Sequence, residues 1–132
     1  MRGDIEGARS LNESALASLH AALGKDHHYP LFVAANLASD LNALGEISAA
    51  RELGTDTLAR MEAVLGPEHP TTLACAANLV LDLRADGAGD EADTLLARTM
   101  RVYVVRVGQD HPDIKAIDQG LRLDFDFDPP PL

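Results

Sequence analysis

The chain has 132 residues, which is enough for one compact domain with a core of its own and short for two. Alanine and leucine supply 41 of them, aromatics make up 4%, and tryptophan is absent, a composition that favours closely packed helices over an all-β fold. The 11 Lys+Arg against 21 Asp+Glu leave a net charge of −10, a field that repels phosphate backbones and anionic lipid headgroups, so no nucleic-acid or membrane partner is expected.

Sliding the sequence against itself reveals a period of 42 residues. Gly3, Gly45 and Gly87 coincide at that shift, as do Ala8, Ala50 and Ala92, Leu11, Leu53 and Leu95, and His27, His69 and His111. The run Ala34-Ala35-Asn36-Leu37 with Asp40-Leu41 repeats as Ala76-Ala77-Asn78-Leu79 with Asp82-Leu83. In chain order the pattern predicts an opening B helix from about Asp4 to Leu23, with Ala8, Leu11, Ala15, Leu16, Leu19 and Leu23 on its apolar face. The first A helix carries its stripe on Ala34, Leu37, Ala38, Leu41 and Leu44 and stops at Gly45, which can take the left-handed conformation that ends a helix.

A second B helix spans Glu46 to Leu65. After the turn at Gly66, Pro70 opens the next A helix, where a missing N–H costs no helical bond. Its stripe is Leu73, Ala76, Leu79, Val80 and Leu83, and it stops at Gly87. A third B helix covers Gly89 to Val107, and Pro112 starts a last A helix with Ile114, Ile117 and Leu121 facing inward. The expected organisation is a helical-repeat domain over 1–122 (B helix 1–23, repeats 24–65 and 66–107, A helix 108–122) and an extended acidic, aromatic and Pro-rich tail over 123–132. A B helix that opens the chain without an A partner leaves its apolar face partly bare. It implies either a piece of a longer array or a homodimer through exposed terminal helices or the tail.

The recurring Leu37-Ala38-x-x-Leu41-x-x-x-Gly45-x-x-x-x-Ala50 and Leu79-Val80-x-x-Leu83-x-x-x-Gly87-x-x-x-x-Ala92 runs resemble the tetratricopeptide repeat. So does the linker Leu65-Gly66-Pro67-Glu68-His69-Pro70-Thr71-Thr72-Leu73. The resemblance is to the longer variety found in kinesin light chains and in many bacterial multidomain proteins. Val80 in place of a small residue, His28 in place of proline, and Gly54 in place of a bulky apolar residue depart from that pattern. The fold implied is all-α, a right-handed superhelical stack of antiparallel helix pairs with about two and a half repeats. A HEAT or armadillo-like solenoid has a similar period, but the glycine and alanine spacing argues against it.

The resemblance further implies a non-enzymatic scaffold that binds a peptide or protein segment in a groove of A helices. On the first A helix, Phe32, Ala35, Asn36, Ser39 and Ala43 point away from the core stripe, with Asn42 at the edge of that arc. The second repeats them as Ala74, Ala77, Asn78, Leu81 and Ala85, with Arg84 matching Asn42. Asn36 and Asn78 form a ladder of amides able both to donate to and to accept from a ligand backbone. Asparagines at this place contact cargo peptide in the kinesin light chain family, or else they order the stack internally. The peptide-binding candidates are Phe32 as an apolar anchor, Asn36, Ser39, Asn42, Asn78, Leu81 and Arg84. For Arg84 the other reading is an ion pair with Asp82 or Asp86.

Three equally spaced histidines suggest a metal, but positions one repeat apart are too distant for one ion, and His69 and His111 beside prolines read as helix caps. No cofactor is expected. There is no phosphate loop or nucleophile elbow, and Cys75 among alanines reads as an inert buried thiol, so no catalysis is expected. As the only cysteine it also excludes an internal disulfide, which fits a reducing, cytoplasmic setting. In the tail, Leu123, Phe125 and Phe127 alternate with acidic residues before Pro129 to Pro131. The segment either caps the last A helix, lies in a groove as a built-in ligand, or frays. Alternative roles for the whole are a self-associating structural module or a regulatory sensor domain of a larger signalling protein.

Overall fold

A computed structural model describes residues 2–24 and 27–123. Six helices follow one another: α1 (Arg2–Leu23), α2 (His28–Ala43), α3 (Ile47–Val64), α4 (Pro70–Ala85), α5 (Gly89–Val107) and α6 (Pro112–Asp118). There is no strand among the described residues. Each of the first five helices packs on its neighbours in sequence, and α2 also touches α4, so the A helices α2 and α4 stand side by side with B helices behind them. This is the all-α stack of helix pairs that the period predicts. Of the expected tail, only Leu123 is among the described residues.

Starts and stops repeat as faithfully as the sequence. His27, His69 and His111 sit at the N-caps of α2, α4 and α6, where each Nδ1 accepts a hydrogen bond from the backbone N–H two residues on, at Tyr29, Thr71 and Asp113. An imidazole nitrogen thus does the work usually given to a Ser or Asp oxygen. At the other end, Gly45 (φ +84°) and Gly87 (φ +82°) turn the chain out of α2 and α4. The N–H that follows each glycine returns to a carbonyl five residues earlier, Glu46 to Leu41 and Ala88 to Leu83.

The core stripes of both A helices are buried as expected. Burial, however, extends beyond them: every residue from Thr72 to Val80 is buried, including Ala74, Ala77 and Asn78, which the sequence places on an open face. Ala35 is buried as well. The reason is that α4 is held between α3 and α5 while its remaining side is covered by the chain itself, at Leu123. Gly54 of α3 has a spatial role, since a Cβ there would lie 3.1 Å from Leu79 Cδ1 and 3.5 Å from Asp82 Oδ2. The glycine lets α3 approach α4 beside that carboxylate.

Two ends depart from the regular pattern. The opening helix α1 packs on α2 and contributes Leu16 to the cluster of Leu37, Leu41 and Ala50, yet Leu11 stays 72% exposed. Asn12 Nδ2 donates to Asp40 at 2.6 Å, and Arg9 pairs with Glu46, which fastens α1 to the first repeat. At the far end α6 has 7 residues against 16 in α2 and α4, so the last A helix is shorter than the 108–122 expected, and Leu121 is 54% exposed where the sequence places it inward. Gly120 (φ +72°) is responsible: the Leu121 N–H bonds back to Ala116, the helix ends, and the chain turns onto α4.

Candidate functional site

Gly120 stands one repeat after Asn78 and two after Asn36, so the chain leaves its helix at the register position where the earlier A helices carry asparagine. The residues that follow lie on that asparagine. Asn78 is 4% exposed; its Nδ2 donates to the carbonyl of Leu123 at 2.9 Å and its Oδ1 accepts the N–H of Leu123 at 2.7 Å. One amide thereby satisfies both backbone polar groups of a single residue, which is how a strand neighbour would hold it.

Four residues on, Asp82 faces the same side of α4. Its side chain is 1% exposed and receives both terminal nitrogens of the Arg122 guanidinium, at 2.8 and 3.1 Å. A two-pronged arginine–carboxylate pair is the strongest of the ordinary ion pairs in both geometry and energy. The third nitrogen of the fork, Nε, donates to Ser39 Oγ at 2.7 Å on α2, and Asn42 Nδ2 donates to Asp82 Oδ1 at 2.8 Å. Arg122 therefore ties α2 and α4 together through the buried carboxylate of Asp82, for which it is the one cationic partner among the described residues. The Leu123 side chain meanwhile enters a socket of Leu73, Ala74, Ala77, Tyr103 and Ile114, where the two alanines leave room for an aliphatic group.

Of the candidates named from the sequence, Asn78, Ser39 and Asn42 converge on Arg122, Leu123 and Asp82. Asn36 is half-buried one repeat away, and no hydrogen bond to its amide is formed among the described residues. Phe32 is half-buried and packs against the core cluster containing Leu31, Met61 and Cys75; it is not the free-standing anchor expected. Leu81 and Arg84 line a different cleft of about 310 Å³, bounded by Leu96 and Met100 of α5 and by Ile117 and Leu121. Arg84 pairs with Asp93 of α5 at 3.0 Å, and not with Asp82 or Asp86. The two residues that sequence reasoning missed are Asp82 and Arg122. Asp82 repeats in register with Asp40, and a carboxylate recurring inside a helix full of buried alanines is the signal that could have marked it.

No group of three or more metal-ligating side chains gathers among the described residues, and the three histidines are committed to their caps. Burial pushes the Cys75 thiol up to about 12, which leaves it protonated and unreactive. Tyr103 is also raised, by burial first and then by the hydrogen bond that its hydroxyl donates to Asp113 at 2.5 Å. No described helix is long and apolar enough to cross a membrane.

A family model for the tetratricopeptide repeat matches residues 30–103, the stretch from the start of α2 into α5. The chain belongs to the tetratricopeptide repeat family. No curated protein matches it. Repeats of this family generally mediate protein–protein interaction without catalysis, and in this tetratricopeptide chain the A-helix face where that would occur carries the chain's own Arg122 and Leu123.

Proposed function

We propose that the protein is a non-enzymatic interaction module that holds an extended peptide or protein segment across the A-helix face of α2 and α4. The observation behind this reading is the double hydrogen bond between Asn78 and the backbone of Leu123. Such a contact ignores the side chain it holds, so it would serve any extended residue brought to the same place. Asn36, in the same position one repeat earlier, offers a second amide for a longer segment. The buried, unreactive Cys75 suits a reducing compartment.

The test is a random-peptide array probed with the full chain, with the full-chain Arg122→Ala variant, in which loss of the Asp82 pair loosens the segment covering the face, and with Arg122→Ala/Asn78→Ala. Retention by Arg122→Ala that disappears with Asn78→Ala is the expected result. An array that stays blank, or whose binders ignore Asn78, would discard the reading. A second reading, self-association, is favoured by the 72% exposure of Leu11 on α1 and predicts a dimer by light scattering that Leu11→Glu dissolves.

A further inference from the structure

The residues lying on the face also say which side chains it accepts. We infer that the site selects an extended segment with an arginine followed by an aliphatic residue, and that Arg122-Leu123 is the built-in example that an external ligand must displace. This rests on the peptide-binding reading above and adds the chemistry of the partner.

Three features carry the inference. Asp82 is a fully buried carboxylate whose only other hydrogen-bond partner among the described residues is the Asn42 amide. A buried carboxylate is costly unless a cation meets it, and Ser39 and Asp82 together offer acceptors for all three nitrogens of a guanidinium. Lysine, a single point of charge, would fill that fork poorly. Next to it, Asn78 fixes the backbone of the following residue, and the socket over Ala74 and Ala77 takes a side chain of leucine size and excludes charge. The chain's net charge of −10 also favours the approach of a basic segment.

Because the built-in segment is tethered a few residues from α6, its effective concentration at the site is high, on the order of millimolar. A free peptide competes against it, so the apparent affinity of the intact chain is reduced by the fraction of time the face is covered.

The probe is a labelled peptide copying residues 119–125, Gln-Gly-Leu-Arg-Leu-Asp-Phe, titrated by fluorescence anisotropy into the intact chain and into its Arg122→Ala variant. Binding to the variant at least about tenfold tighter than to the intact chain is expected, as release from the tether predicts. On the variant, replacing the peptide's arginine by alanine, or the leucine after it by serine, should each weaken binding about tenfold or more. If the peptides bind but the arginine or leucine replacement changes nothing, the selectivity is wrong while the peptide-binding reading stands. If the folded variant binds neither these peptides nor any on the array, both fall together. Should Arg122→Ala fail to fold, Asp82→Asn keeps the shape of the site. It should hold the original and the arginine-replaced peptide alike, and a preference for arginine that survived in it would overturn the assignment of Asp82.

Discussion

Asn36 and Asn78 occupy the same position one repeat apart, on helices of equal length, and their surroundings could hardly differ more. Asn78 is buried under the backbone of Leu123, whereas Asn36 is half-buried and its amide bonds nothing described. The aspartates behind them diverge in the same way. Asp82 holds a guanidinium in a closed site, and Asp40 is half-buried against Asn12 of α1. The repeat therefore builds equivalent rungs, and the residues outside the repeat decide which rung is filled. Gly120, by ending α6 early, delivers Arg122 and Leu123 to the second rung only.

The comparison breaks hardest at the carboxylates. Asp82→Ala leaves Arg122 and Asn42 without their shared partner and should cost about 3–5 kcal/mol in a urea melt, while Asp40→Ala should cost about 1. Equal losses would mean that the buried pair adds nothing. The asparagines come next: Asn78→Ala strands the N–H and C=O of Leu123 and should cost about 2–3 kcal/mol, against about 0.5 or less for Asn36→Ala.

A pH titration sharpens the same region. Cys75 and Tyr103 both have folded values raised above their ordinary 9.0 and 10.0, so both must stay neutral in the fold. Their contribution is fully present below pH 9.0 and is lost as the pH climbs toward 12, where the unfolded chain ionises first. For the thiol the slope approaches about 1.4 kcal/mol per pH unit, and Cys75→Ala should flatten it. A smaller effect than those at Asp82 and Asn78 belongs to Gly120→Ala, which forces a side chain into a left-handed backbone at a cost of about 1 kcal/mol. Its signature should be faster amide exchange at Leu123 with little change in α2.

Most of the fold was legible because its signals are local. The period, the glycines that end α2 and α4, and the histidine–proline starts are each written within a few residues of what they shape. The site was legible by half. Asn78, Ser39 and Asn42 follow from helical spacing, but what they hold does not, since Arg122 meets Ser39 across 83 positions of sequence and the period has already failed there. Phe32, Leu81 and Arg84 share the outward side of the helix wheel with those residues, but a wheel cannot say what each flank will meet: Phe32 packs against a core cluster, and Leu81 and Arg84 line the cleft toward α5.

That sequence distance has a kinetic meaning. Most joints in the stack link helices that are neighbours along the chain, the kind of contact that forms early and fast, whereas Leu123 reaches Asn78 across 45 positions and Arg122 reaches Ser39 across 83. On a ribosome, Asn36 through Asp82 emerge and can pair as helices before residue 122 exists. Contacts of such sequence separation are expected to form after the folding barrier, so strengthening the Asn78–Leu123 contact should slow unfolding and leave the rate of folding nearly unchanged.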